Sequence, residues 1–158
     1  MKDLPAFIVF ALGLLAFFPA HLVLAEPAVS EGFAHHRNGL RIRVPEGFSA
    51  VELDAGFNVR EGEVLRSPRE IDIIVSTTPP GITPARRRLV GHRLARFRVR
   101  EVSIGSGGVL FELLASVRHG QSVLTVTAFQ QVETGRPSFD AAWAILRSAE
   151  LVEDTDRR

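Results

Sequence analysis

Apolar and polar residues alternate with a period of two over most of the chain from Leu40 onward, and that period belongs to strands. Leu40-Arg41-Ile42-Arg43-Val44 sets Leu, Ile and Val on one face and two arginines on the other, the pattern of a half-buried strand. Pro45-Glu46-Gly47 ends it, because proline removes a ladder donor and glycine permits the turn. Ser49 to Asp54 repeats the alternation through Val51 and Leu53. Ala55-Gly56 turns, and Phe57-Asn58-Val59-Arg60 reads as a short third strand. Beyond a charged loop around Glu61-Gly62-Glu63, the run Arg69 to Thr77 places Ile71, Ile73 and Val75 on one face.

Thr78 to Pro84 holds three prolines and a glycine, which leaves no room for a helix or a central strand. From His92 to Ile104 a long strand is predicted with Ala95, Phe97 and Val99 inward and Arg96, Arg98 and Arg100 outward. The inward parity then shifts to Val102 and Ile104, which predicts a bulge near Glu101. Gly105-Ser106-Gly107-Gly108 reads as a hairpin turn into a strand with Val109, Phe111, Leu113, Ala115 and Val117 on its core face. His119-Gly120-Gln121 turns into a last long strand, Ser122 to Val132. Leu110, Leu114, Leu124, Val126 and Ala128 also lie along these two strands, so something packs on their second face. The C-terminal segment suits that place: Ser138 can cap a helix, and Phe139, Ala142, Trp143, Leu146 and Ala149 recur at helical spacing. The expected fold is α+β, an antiparallel sheet of about six or seven strands with a C-terminal helix packed on one face.

The segment before these elements has a different character. Met1-Lys2-Asp3 precedes an apolar run from Leu4 to Leu24, and Val23-Leu24-Ala25 stands before Glu26. This is the layout of a secretory signal with cleavage after Ala25; an uncleaved anchor is the alternative, weakened by Pro19 and His21. The expected organisation is therefore a signal peptide over 1–25, a flexible tether over 26–38, a single domain over 39–152 and a charged tail over 153–158. Cleavage leaves 133 of the 158 residues, carrying 18 Arg against 17 acids, since the one lysine is Lys2. A chain of that size buries about two-thirds of its unfolded surface, so it folds without staples. No cysteine is present, which removes thiol nucleophiles, disulfides and thiolate zinc sites. Export and near-neutral charge make the mature protein periplasmic, with no nucleic acid as partner and no stable membrane insertion after cleavage.

Motifs for chemistry are sparse. Arg86, Arg87, Arg88, Arg93, Arg96, Arg98 and Arg100 form the strongest compositional feature. Guanidinium groups on alternate strand residues make a stripe suited to carboxylate or phosphate, or simply a solvated face. The acids Glu46, Glu52, Asp54, Glu61, Glu63, Glu70 and Asp72 could include a glycosidase pair, plug a basic cleft, or balance the arginines on neighbouring strands. His35-His36 has no third ligand near in sequence, so no metal site is predicted. Gly105-Ser106-Gly107-Gly108 lacks the spacing of a nucleophile elbow, and no phosphate loop or dinucleotide fingerprint occurs. Trp143 reads as a core anchor. No catalytic residue, cofactor or metal is assigned.

Two stretches carry a family resemblance. Gly39-Leu40-Arg41-Ile42-Arg43-Val44-Pro45-Glu46-Gly47-Phe48 resembles the opening strand of PsbP-like domains, which closes in Val-Pro-x-Gly-aromatic. Phe139-Asp140-Ala141-Ala142-Trp143-Ala144-Ile145-Leu146-Arg147-Ser148 is similar to their closing helix, and the chain departs from their pattern at Thr77 to Arg88, where they commonly have a helix. Exported proteins of this layout include immunity proteins against type VI secretion toxins. The resemblance implies a periplasmic binding protein, not an enzyme, that neutralises a secreted cell-wall-degrading toxin by blocking its cleft. An envelope accessory domain assisting transport or assembly is the other reading. Enzymes of the acidic cell wall commonly need a cationic surface, which favours carboxylates on the blocker. Asp54, Glu61 and Glu63 are therefore the expected partner-binding residues, with Arg96, Arg98 and Arg100 as the alternative stripe.

Overall fold

The computed structural model of the protein describes residues 32–62, 69–103 and 108–152. Its elements run β1 (Phe33–His35), β2 (Leu40–Arg43), β3 (Phe48–Leu53), β4 (Gly56–Glu61), β5 (Arg69–Ser76), β6 (Arg86–Val90), β7 (Arg93–Ser103), β8 (Val109–His119), β9 (Ser122–Val132), α1 (Asp140–Ser148) and β10 (Glu150–Leu151). The signal segment, residues 26–31 of the expected tether, Glu63, most of the Gly105 hairpin turn and the charged tail lie outside the described residues.

The architecture is mostly antiparallel sheet with one C-terminal helix, and the strands form two sheets where one was expected. A seven-stranded sheet has the order β3-β4-β5-β9-β8-β7-β6, and a three-stranded one the order β1-β2-β10. Phe33, Ala34 and His35 pair with Arg43, Ile42 and Arg41, so the expected tether is part of the fold from Phe33 onward. The signal was missed because three residues are too few to show a period. Residues 77–85 are irregular, as the prolines require, and carry the chain from the third strand position to the far edge, where β6 begins. The long strand expected from His92 is in fact the second arm of a hairpin. Val90 faces Arg93, and Gly91 takes the positive φ of 61° that this two-residue turn needs.

Side chains on the large sheet sort by register. One face carries Ala95, Val117 and Leu124 in one row, Phe97, Ala115, Val126, Ile73 and Phe57 in the next, and Leu113, Ala128, Ile71, Val59 and Ala50 in a third. These residues share a single core cluster with Ala34, Leu40, Ile42 and Val44 and with Ala142, Trp143, Ile145 and Leu146 of α1. The Trp143 ring meets Phe97 edge-on at 5.3 Å, and the Arg88 guanidinium lies 4.7 Å from the Trp143 centroid.

Three local readings change. In β3 the buried residue is Ala50, whereas Leu53 is exposed. Ala50 pairs with Val59, and Glu52 pairs with Phe57, so the larger apolar residues of β4 set the phase of β3 and send Val51 and Leu53 to the other face. No bulge interrupts β7: its register with β8 is continuous from Arg96–Ser116 to Ser103–Val109. The N-cap of α1 is Phe139 rather than Ser138, with no side-chain cap, and Trp143 N–H already donates to the Phe139 carbonyl at 3.0 Å. Ser138 instead donates to the Asp140 carboxylate at 2.6 Å, one residue outside the capping position.

Candidate partner-binding surfaces

One end of the molecule collects three turns and the exit of β10. The β1–β2 turn bends through Gly39, whose φ is 85° and whose backbone lies so close to the Val152 carbonyl that a side chain there would overlap it. Val152 N–H donates to the Gly39 carbonyl at 2.9 Å, which fixes the exit of β10 beside this turn. His36, Arg37, Asn38, Val75, His119, Gln121 and Leu151 line an open cleft of about 880 Å3 between that turn and the β8–β9 turn. The buried His36 ring locks the arrangement. Its Nε2 is 2.7 Å from the Leu53 carbonyl and 3.4 Å from Glu52 Oε1, and its Nδ1 accepts the Asn38 N–H at 3.1 Å, which makes Nε2 the donor. Phe57 meets the same ring edge-on at 5.5 Å.

Asp54 stands in the β3–β4 turn beside this cleft with its side chain fully exposed. Arg37 Nη2 approaches Asp54 Oδ1 at 3.3 Å, and Asn38 donates to the Ala55 carbonyl at 3.3 Å. Such an exposed pair holds its carboxylate weakly, leaving it available to a stronger cation. Glu61 is elsewhere: it ends β4, five residues and about 17 Å along the strand from Gly56. It pairs with Arg69 at 3.5 Å and is only partly exposed. The structure therefore separates Asp54 from Glu61, which the sequence reading had grouped, and Glu63 lies outside the described residues.

The arginine stripe does share a face, the one opposite α1. Its members have different environments. Arg100 is paired with Glu112, through Nη2 to Oε1 at 3.0 Å and through Nε to Oε2, and Glu112 is buried. Arg98 donates to the Thr83 carbonyl at 3.4 Å, which brings the 77–85 crossing onto this face. Arg96 lies directly opposite Arg87 of β6. Farther along the same face Asn58 donates to Glu70 at 2.8 Å and Asp72 at 2.6 Å, and Arg60 reaches Glu70 at 3.0 Å. The carboxylates on this face are thus engaged by neighbours, with Arg60 and Arg100 as their cations. They are not arranged as a free acid and base.

Arg93, grouped by sequence with the stripe, has a structural task. Its Nη2 donates to the carbonyls of Leu146, Arg147 and Ala149 at 3.0, 3.3 and 3.0 Å, closing the C-terminus of α1. Desolvation lowers its pKa, and the Glu150 carboxylate opposes that shift. Nothing in the local sequence signals this contact, because it spans more than fifty positions. Trp143 is confirmed in the core cluster. His35 and His36 belong to no group of three or more ligating side chains among the described residues.

A model of the type six secretion immunity 3 domain matches residues 41–150, from β2 through β10. The chain is 40% identical over 116 residues to the immune protein Tsi3 of Pseudomonas aeruginosa, covering 73% of this chain and 79% of that one. Among solved structures, cyanobacterial PsbP from Synechocystis sp. PCC 6803 is similar with a TM-score of 0.53 and 11% identity, over 76% of this chain and 91% of that one. A crystal structure from Bacteroides thetaiotaomicron gives a TM-score of 0.59 at 10% identity over 73% of this chain, which spans 46% of that longer protein. These two likenesses concern the fold alone, and that to PsbP agrees with the resemblance read from the two terminal stretches. With the family match covering all but the first strand of the described fold, the chain belongs to the type six secretion immunity 3 domain family.

Proposed function

We propose that the protein is a periplasmic immunity protein that neutralises a secreted cell-wall-degrading toxin by blocking its cleft, with the Asp54 turn leading the contact. Membership of the immunity family carries this reading, since an immunity protein binds a protein toxin and needs no chemistry of its own. The choice of surface follows from exposure and charge. An enzyme that works on an acidic polymer gains from a cationic cleft, and a projecting carboxylate complements that field. Asp54 projects fully, with one weak partner in Arg37, and the cleft beside it gives a rigid concave frame. Glu61 is held by Arg69 at the far end of the same hairpin. Arg96 and Arg98 present the charge that a cationic cleft repels.

The test is titration calorimetry with the secreted cell-wall hydrolases of the same organism. Asp54→Arg is expected to weaken binding by about tenfold or more, as loss of an interfacial charge pair does. Glu61→Arg, and Arg96→Glu with Arg98→Glu, are expected to leave affinity within about twofold. Full affinity in Asp54→Arg together with loss in the arginine variants moves the interface to the opposite face. Absence of a complex with any of these hydrolases overturns the cell-wall-toxin reading.

A further inference from the structure

Arg86 aside, which is exposed and pairs with Phe97 on the α1 side of β6, the arginines of the series are explained one by one until two remain. Arg88 lies on Trp143, Arg93 closes α1, Arg98 reaches a carbonyl and Arg100 holds Glu112. Arg87 and Arg96 face each other directly across β6 and β7, on the face away from α1, with no carboxylate partner among the described residues. Like charges directly opposite on a sheet are destabilising, so this pair costs the fold stability and needs another reason. The adjacent cross-strand pair on the same face is Leu89 with Leu94, which are 66% and 56% exposed. Arg118, also exposed and without a partner among the described residues, projects from that face two positions beyond Ser116 on β8. The result is a corner at the sheet edge where two protruding leucines are framed by three uncompensated guanidinium groups.

We propose that this corner, Arg87, Leu89, Leu94 and Arg96 with Arg118 beside them, is a docking surface for an anionic phospholipid bilayer. Guanidinium groups bind phosphate in bidentate fashion, and short apolar side chains beside them enter the boundary between headgroup and acyl chain. A free phosphate accounts for the arginines and leaves the leucines unexplained. A second copy of the chain brings the same arginines against one another. A toxin with a cationic cleft is repelled from this corner, a clause that rests on the functional reading above. β6 is the sheet edge, so an extended surface reaches the corner without obstruction from a further strand. The Asp54 hairpin lies at the opposite edge, five strand spacings or about 24 Å away, so docking here leaves it open to a partner.

The test is flotation of the protein, expressed from the full gene and purified as the cell processes it, with two kinds of vesicle. One is phosphatidylcholine alone, which reports any retained apolar N-terminus; the other contains about one-third phosphatidylglycerol. Binding to the anionic vesicles is expected to exceed binding to the neutral ones and to fall with salt. Arg87→Gln with Arg96→Gln is expected to lower the anionic partition by about 30-fold, the effect of removing two surface-attracted charges. Leu89→Ser with Leu94→Ser is expected to lower it by about tenfold. A control, Arg43→Gln with Arg136→Gln, removes the same charge from exposed positions elsewhere and is expected to leave it unchanged. In the unaltered protein, amide exchange of Arg86–Val90 slows on anionic vesicles, a readout independent of variant folding. Equal partition to both vesicles, or an equal loss in the control, overturns the proposal. So does a loss confined to the arginine variant, which shows attraction to any polyanion. If the corner variants instead lose affinity for the toxin and keep their vesicle binding, the corner is a protein interface and the bilayer proposal fails.

Discussion

Arg93 gathers three carbonyls at the end of α1 with one side chain, and that contact ties β7 to the C-terminal helix. Removing it leaves those three carbonyls without their guanidinium donor, although Arg147 stays in the last turn. Arg93→Ala is expected to destabilise the protein by about 1 to 2 kcal/mol, the range of a partly buried cation at a helix C-terminus, read from the midpoint of urea denaturation. Arg93→Gln recovers part of that loss if hydrogen bonding contributes beside charge, and none if charge alone matters. His36 works through both ring nitrogens. With Nε2–H directed at Leu53 and Nδ1 occupied by the Asn38 N–H, it joins the β1–β2 turn to the end of β3.

At the scale of the element, the phase of β3 is a sharp test of how strands are set. Ala50 belongs to the core cluster and Leu53 does not, although leucine is the more apolar residue. Ala50→Asp is expected to cost several kcal/mol, because it buries a carboxylate beside Val59 with nothing to pair it. Leu53→Asp is expected to change stability by about 0.5 kcal/mol or less. The reverse order of the two thermal midpoints returns β3 to the phase its own alternation suggests. The helix has a comparable anchor in Trp143, which shares the cluster with Phe97 as its edge-on partner. Trp143→Ala is expected to cost about 3 to 5 kcal/mol, and an unchanged denaturation midpoint shows a helix that contributes little to the core.

For the whole molecule, the apolar run over residues 4–24 is followed by Ala25, eight residues before the first described strand at Phe33. We expect the mature chain to begin at Glu26, checked by N-terminal sequencing of protein from the periplasmic fraction; a chain beginning at Met1 in the membrane fraction reverses this. Among the described residues no helix is long and apolar enough to cross a membrane. The surface divides its charge by region. Acids and arginines neutralise each other along the middle of the open face, through Arg60, Glu70, Asn58, Asp72, Arg100 and Glu112. Less compensated charge lies at the margins, Asp54 with its exposed partner Arg37 at one edge and the facing Arg87 and Arg96 at the other. That distribution separates a surface suited to a cationic partner from one suited to an anionic bilayer.

Alternation by itself located β2, β4, β5, β7, β8 and β9, because a period of two survives any tertiary arrangement that buries one face. Helical spacing from Phe139 to Ala149 did the same for α1, whose buried face adds only Ile145 to the expected set. The proline-rich crossing was also legible, since missing N–H donors hold in every context. Tertiary structure alone decided the rest. The phase of β3 depends on which face β4 makes apolar, and β1, β6 and β10 exist because a neighbour offers an edge to two, three or five residues with no period of their own. The candidate site was least legible of all. Asp54 and Glu61 are seven positions apart in sequence, yet a straight six-residue strand holds them at opposite ends of a hairpin. Arg87 and Arg96, nine positions apart, become direct neighbours because two residues turn the chain back on itself. Sequence distance becomes spatial distance only through register, and register is set by the partner strand.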